Sequence, residues 1–442
     1  MLGSTDSFKK QLLRGGLGSF GLKLLSMLLA FLLSVLLARV LDPGDLGIYS
    51  FAYALIMMIA IPAQMGLPQL VIRETAVTQA QKKWTDLRGL WHWSTMVACL
   101  FSAVSVLVVI VVLIFYKTDL SPQKYKVLLW ALPLIPLITL GNIRGAALKG
   151  LRHVVLGQLP ESILRPALLL LSILMLILVL PDIDIDAVNT MTAHVVASLG
   201  AFIVGAYFLW KFRPEELILC SGVTYRSKFW LSAAFPLAFI SGVQFIVGHT
   251  DILMLGLLRS DDEVAIYRIA AQVSLLISFG PQVLNVLLAP YIAKFCAQED
   301  KNKLRKIVKI SVLLGFFSTL LLALILAIFG KLFFSSVFGY VYQSSYFPSL
   351  ILAGGFVLNA GFGPVGMILQ MAGYEKEALI GVSVAAVLNI GLNLFLIPFY
   401  GTSGAAFSTA VSLAISHGIL LFFVIKLLGL NSSIGSIFFE KA

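Results

Sequence analysis

Five basic side chains, Lys23, Arg39, Arg144, Arg165 and Arg268, fall inside stretches that otherwise consist of apolar residues. Only two carboxylates, Glu161 and Asp251, lie at comparable depth. The stretches are long enough to cross a bilayer, where a central Arg or Lys costs roughly 2.5–3.5 kcal/mol. Five such groups together would cost on the order of 12–18 kcal/mol, the scale of a whole fold's stability. Groups of this kind persist where they face water, a counter-ion or a ligand. An excess of buried positive over buried negative charge points to an anionic passenger.

Spacing sorts these residues. Glu161 and Arg165 are i,i+4 with the acid first, the favourable order on one helical face. Arg165 sits about eight residues, roughly 12 Å, into its segment, too deep for easy snorkelling. It reads either as half of a structural salt bridge or as a cavity arginine held ready by a carboxylate. Arg144, near Asn142, either joins Arg165 across a short turn or flanks the loop. Lys23 shares a face with Ser19, Ser26, Ala30 and Ser34, a small and polar stripe that favours a cavity. Arg39, close to Asp42 at the other end of that segment, reads as packing on its neighbour or snorkelling outward. Gln244, Gly248 and Asp251 share a face, His249 points away from it, and Arg268 is placed to reach Asp251. A lone intramembrane histidine is more often a packed polar group than a proton relay. Asn389 and Asn393, again i,i+4, are expected to make interhelical hydrogen bonds. The substrate-binding candidates are therefore Lys23, Arg39, Arg144, Arg165, Gln244 and Arg268. Glu161, Asp251 and His249 are the candidates for charge pairing or ion coupling. No catalytic residue and no metal site is expected. Lys23, Arg144, Glu161 and Arg165 occupy one half of the membrane, and Arg39, His249, Asp251 and Arg268 the other, so a crossing anion would meet two groups in turn.

The elements that must position these residues are membrane helices. Of the 442 residues 59% are hydrophobic and only 12% charged, with a mean hydropathy of +0.98. Soluble domains carry about 25% charged residues. Apolar runs of about 20 residues recur twelve times, from 17–41 to 403–427, each enough for a bilayer of about 30 Å. The net charge of +11 is spread over many short loops, which is a topology signature rather than a nucleic-acid footprint. With the N-terminus cytoplasmic, the inner loops carry groups such as Arg73, Lys82, Lys83 and Arg88, and later Lys301, Lys303, Arg305 and Lys306. The outer side carries Asp42 and Asp45, then Asp182, Asp184 and Asp186, then Asp261, Asp262 and Glu263. The loop with Lys117, Lys124 and Lys126 is the weak exception. Both termini are expected on the cytoplasmic side, and the first apolar stretch is expected to act as signal anchor and first span. Cys99, Cys220 and Cys296 are scattered and read as free thiols. With no extended hydrophilic stretch, a soluble catalytic module is not expected, and the chain does not read as an enzyme.

The sequence also repeats. LDPGDLGIYSFA (Leu41 to Ala52) is echoed by RSDDEVAIYRIA (Arg259 to Ala270), with Tyr49 matching Tyr267. LKGLRH (Leu148 to His153) is echoed by QMAGYEK (Gln370 to Lys376) at a similar offset. Two echoes at nearly half the length imply a duplication. The expected fold is all-α and polytopic, with twelve transmembrane helices in two pseudo-symmetric six-helix lobes around a central cavity. The expected division is 1–210, a linker over 211–230, and 231–442. Pro62, Pro133, Pro136, Pro160, Pro166, Pro236, Pro281 and Pro364, with the glycine-rich AGGFVLNAGFGPVG, mark irregular spans.

The run GSFGLKLLSMLLAFLLSVLLARVLDPGDLGIYSFA (Gly18 to Ala52) resembles the polysaccharide-exporter branch of the MOP superfamily. So does the stretch holding Gln244, Asp251, Leu255, Gly256 and Tyr267. Asp42 departs from the glycine usual in that run. The resemblance implies a Wzx-type flippase for O-antigen or exopolysaccharide in the bacterial inner membrane. Such a protein moves a polyprenyl-pyrophosphate-linked oligosaccharide from the cytoplasmic to the outer leaflet by alternating access. It implies no cofactor beyond proton or cation counter-transport. Its implied partners are the lipid-linked glycan, the bilayer, and a polysaccharide polymerase with its chain-length machinery; nucleic acid is not among them. Two readings of the same superfamily stay open: a MATE-type drug or cation antiporter and a lipid II flippase. The former usually needs acidic cavity groups, against which the five bases argue. The latter has a pyrophosphate substrate too.

Overall fold

Each apolar run becomes helix, because in hydrocarbon every backbone N–H and C=O must find its partner within the segment. The computed structural model describes residues 3–179, 184–298 and 300–439. Asp182 lies outside them, as do the side chains of Ser19 and Gln244. In chain order the helices are α1 (Gly3–Val40), α2 (Pro43–Gln64), α3 (Leu67–Ala80), α4 (Trp84–Phe115), α5 (Pro122–Ala131) and α6 (Leu134–Gly150). These are followed by α7 (Val154–Leu159), a wide turn at Pro160–Leu164, α8 (Arg165–Val179), α9 (Ala187–Phe212), α10 (Glu215–Leu219) and α11 (Ser227–Leu258). Then come α12 (Asp261–Ile277), α13 (Phe279–Ala297), α14 (Lys301–Phe333), α15 (Tyr346–Phe362), α16 (Val365–Met371) and α17 (Glu375–Leu428). Among the described residues nine helices are long and apolar enough to span a membrane, and eleven when two bent pairs count as spans. The 54-residue α17 is broken at Gly401, so its two arms make the segments twelve, consistent with the apolar runs. Gly401 holds φ 52° and ψ −128°, a conformation that glycine alone adopts readily.

The chain divides into two compact units, residues 1–245 and 246–442, with α11 passing from one to the other. In the first, Leu67, Leu70, Leu87, Leu90, Ala146 and Trp230 form a buried core, where the Trp93 and Trp230 rings lie 5.4 Å apart. In the second, Ile292, Val308, Val312, Ile368, Leu420 and Val424 do the same. Both units show apolar side chains outward, for example Leu107 at 61% and Ile328 at 72% exposure, as lipid-facing surfaces require. Residues 211–230 hold the end of α9, α10, a non-helical stretch over 220–226 and the first turn of α11. This stretch is tied to the start of α4: Arg88 Nη1 donates to the Cys220 carbonyl at 2.9 Å, and Arg226 pairs with Asp86 at 3.0 Å.

The repeated motifs fold alike. α1 and α2 are separated by Leu41–Asp42, and α11 and α12 by Arg259–Ser260. Tyr49 and Tyr267 are each the seventh residue of the helix that follows, and both are buried. The second echo gives matching three-residue turns, Leu151–His153 and Ala372–Tyr374. The middle residue of each is left-handed, Arg152 at φ 70° and Gly373 at φ 85°. The three cysteines are free.

Candidate functional site

In the first unit one carboxylate serves two guanidinium groups. Arg144 Nη2 lies 3.2 Å from Glu161 Oε1, and Arg165 Nη1 lies 3.3 Å from Glu161 Oε2. The sequence spacing predicted the second contact; the structure adds the first, which crosses from α6 to the wide turn. Arg144 also donates to the Phe202 carbonyl of α9 and places its guanidinium 5.1 Å from the Phe202 ring centre. With a relative exposure of 6% it is nearly enclosed, and its Nε has no hydrogen-bond partner. Two cations on one anion leave the cluster net positive.

Local sequence explains why the charges meet here. Pro160 starts a turn in which the Arg165 N–H bonds to the Pro160 carbonyl, five residues back instead of four. Such a bulge unwinds the helix by one residue and re-aims its side chains. It lies where Glu161 leaves the helix axis toward α6. Glycines make the room: a Cβ at Gly141 would strike the Glu161 carboxylate, and one at Gly205 would strike the Arg144 guanidinium. Gly145 and Gly157 bring α6 and α7 into close backbone contact.

Around Arg165 the polar neighbours are aromatic. Tyr53 and Tyr49 of α2 are within its electrostatic range. The Tyr49 hydroxyl is 2.9 Å from His194 Nδ1, and the Tyr53 ring centre is 4.9 Å from that of His194. A cavity of about 320 Å³ opens beside Arg144, walled by Trp91, Phe202, Leu209, Trp210 and Arg213. Arg213 Nε, like Arg144 Nε, is buried without a partner. On the opposite face of α6, Asn142, Lys149, Gln64 and Ser241 line a second cavity of about 200 Å³, with Asn142 donating to Gln64 at 3.1 Å. Arg144 and Asn142, neighbours in sequence, thus face different spaces.

The remaining candidates of this unit stand apart. Lys23 is exposed on α1 and forms no ion pair with the described residues, so it does not join the Arg144–Glu161–Arg165 cluster despite its small-residue stripe. Arg39 is exposed in the last turn of α1.

The second unit holds its buried carboxylate without a cation. Asp251 accepts from the Tyr267 hydroxyl at 2.5 Å, from Asn393 Nδ2 at 2.6 Å, and from the Thr409 hydroxyl. Asn389 donates to Thr409 at 3.1 Å and accepts from Asn393 at 3.1 Å. Arg268, which the sequence placed either in a cavity or within reach of Asp251, forms no ion pair with Asp251 among the described residues. The adjacent Tyr267 points inward to take the carboxylate, and Arg268, one residue on, turns to a different face of α12. Asn393 Oδ1 is buried and receives no hydrogen bond. The expected interhelical role of the two asparagines is thereby met in Asn393, which bridges α17 to α11. His249 is half-buried on the Asp251 helix. Among the described residues no group of three His, Cys, Asp or Glu could hold a metal ion.

Sequence reasoning missed Tyr49–His194, Thr409 and Arg213, because each acts through a neighbour far along the chain. It also missed a cavity of about 440 Å³ in the second unit, although Pro281 and Pro364 at its walls had marked irregular spans.

Residues 12–296, more than half of the chain, match the family model described as polysaccharide biosynthesis protein, and residues 236–395 match the MatE model. A probable low-salt glycan biosynthesis flippase, Agl15 of Haloferax volcanii, is 26% identical over 196 residues. The match covers 43% of this chain and 40% of that protein, so the chain spans about two fifths of the length of this curated relative. An inward-facing multidrug resistance MATE family transporter of the MOP superfamily superimposes with a TM-score of 0.75 at 13% identity, covering 91% of this chain and 94% of that one. Lipid II flippase MurJ in its inward closed conformation gives 0.72 at 14% identity, over 92% and 87%. At such identities the likeness is one of fold.

Proposed function

Because the chain belongs to the polysaccharide biosynthesis protein family of multi-pass membrane proteins, we propose that it is a flippase for polyprenyl-pyrophosphate-linked oligosaccharide. It carries the repeat unit of an O-antigen or exopolysaccharide from the cytoplasmic to the outer leaflet of a bacterial inner membrane, both of its termini being cytoplasmic. It works by alternating access and delivers to a polysaccharide polymerase.

One observation carries this reading. Arg144 and Arg165 share a single carboxylate, so net positive charge is held inside an apolar unit. A pyrophosphate is the complement of paired guanidinium groups, which bind phosphate oxygens bidentately. A cationic cargo, as in a drug antiporter, would need the reverse charge there. Moving about two negative charges outward, down an inside-negative potential, releases roughly 2.3 kcal/mol per charge per 100 mV. Asp251 is the coupling group, exchanging a proton or a monovalent cation. The orphaned Asn393 Oδ1 beside it offers the further oxygen that a cation would use.

Deleting the gene tests the function. Lipid-linked oligosaccharide should accumulate unpolymerised while surface glycan is lost. Surface glycan retained in a strain with no second family member overturns the reading. Within the site, Arg165→Gln should lower export about tenfold or more, and Arg165→Lys should retain part of it, both at normal membrane abundance. Equal loss in the two variants would mean that bidentate geometry, not charge, is what the substrate reads.

A further inference from the structure

The cavity of about 440 Å³ in the second unit differs from every charged site described above. Gln282, Asn285, Asn359, Gln370 and His417 line it together with Phe356, and no Asp, Glu, Lys or Arg does. Its volume falls within the range of small-molecule pockets. Two helix breaks meet on it. The chain bends by 50° between α12 and the first part of α13, at Ser278. α15 ends at Gly363, with φ 81°, before Pro364 begins the next helix. Non-helical backbone at membrane depth is tolerated where it lines a polar cavity, and paired broken helices mark the binding sites of transporters.

The free valences of this cavity can be assigned. Gln282 Nε2 donates to Ser278 Oγ at 2.8 Å. His417 Nδ1 lies 2.9 Å from the Leu413 carbonyl, which can only accept, so Nδ1 carries a proton and, in the neutral ring, Nε2 presents a lone pair. Among the described residues, Asn285, Asn359 and Gln370 have no side-chain hydrogen-bond partner. Two half-buried amides, Asn285 and Asn359, and the exposed Gln370 converge here with a histidine acceptor, all open to a ligand. A carboxamide offers one donor and one acceptor side by side, the complement of a pair of hydroxyls. A phosphate would call for cations, and none lines this cavity; a lipid tail would leave its amides and histidine without partners.

We infer that this cavity binds a neutral, polyhydroxylated ligand, a sugar residue of the transported glycan. The inference rests on the flippase reading for the source of the sugar. Phe356 supplies a ring face for the C–H side of a pyranose, and the amides read its hydroxyls. The chemistry of this cavity, amides for hydroxyls, is thereby distinct from the guanidinium groups that the flippase reading assigns to the pyrophosphate.

The test uses the full chain in nanodiscs and the host's own repeat-unit oligosaccharide, released without phosphate, with binding read by saturation-transfer NMR and calorimetry. Wild type should bind the oligosaccharide. Asn359→Leu and Asn285→Leu should bind about tenfold more weakly, the loss of one hydrogen-bonded pair. Because each removes an unpartnered amide, their thermal midpoints should stay level or rise, a result that a structural role would not give. Asn359→Ala serves as a second variant if the leucine does not fit. Binding that survives these substitutions, or no binding by wild type, overturns the sugar site and leaves a solvated cavity. The gene deletion separates this from the parent reading: surface glycan lost on deletion with no sugar bound in vitro sinks only the site. Surface glycan retained sinks the flippase.

Discussion

Glu161 and Asp251 are carboxylates at depth in apolar spans, and the two units hold them by opposite means. Glu161 carries two guanidinium groups and is outnumbered by them. Asp251 is surrounded by a phenol, an amide and a hydroxyl, all neutral, and remains the only charge of its cluster. The buried cluster of one unit therefore holds surplus positive charge, and that of the other a single carboxylate among neutral donors. The contrast extends to the repeated tyrosines: Tyr49 meets a histidine, and Tyr267 meets the carboxylate itself. The same helix hairpin and the same tyrosine recur in both units, and the partners of that tyrosine differ.

The sharpest way to break this comparison is to remove each carboxylate. Glu161→Ala leaves Arg144 and Arg165 buried together with no counter-charge, and loss of one partner from a buried ion pair costs about 3–5 kcal/mol. Thermal unfolding in detergent should show it as the most destabilising change in either cluster. Asp251→Asn keeps shape and volume but offers an amide where an oxygen had accepted. It leaves one donor unmatched, for a cost of about 1–3 kcal/mol. It should also abolish any dependence of transport on pH or cation gradient in vesicles. Equal destabilisation by the two substitutions would mean that the first unit's charge is already balanced, and the asymmetry would fall.

Much of this was legible in the sequence, for identifiable reasons. Hydropathy fixes the helices because lipid leaves the backbone no other solution. The Glu161–Arg165 pair follows from a spacing of four within one helix. Contacts set by tertiary geometry were not readable. Arg144 reaches Glu161 because Gly141 and Gly205 clear space and Pro160 opens a bulge, and no periodicity encodes that combination. Arg268 looked like the partner of Asp251 because charge suggested it, while Tyr267, one residue earlier, has the direction and takes the bond. The amide cavity escaped notice because its polar residues come from four helices and each is unremarkable alone.

The smallest expected effect compares the two units at one backbone position. Arg152 and Gly373 occupy the same left-handed position of equivalent turns, at φ 70° and 85°. For an L-residue with a side chain this conformation costs about 1–2 kcal/mol, and glycine escapes that cost. Glycine also loses more chain entropy on folding, about 0.4–1 kcal/mol, so Arg152→Gly should stabilise the protein by up to about 1 kcal/mol. A Cβ at Gly373 would meet nothing within 4 Å, so Gly373→Ala tests the backbone alone and should destabilise by a similar amount. Opposite signs and matched sizes in thermal unfolding would show that the two turns are energetically as well as geometrically equivalent. Destabilisation by Arg152→Gly would instead mean that the Arg152 side chain, exposed on the protein, is held by lipid headgroups at the membrane surface, an interaction that the uncharged turn of the second unit lacks.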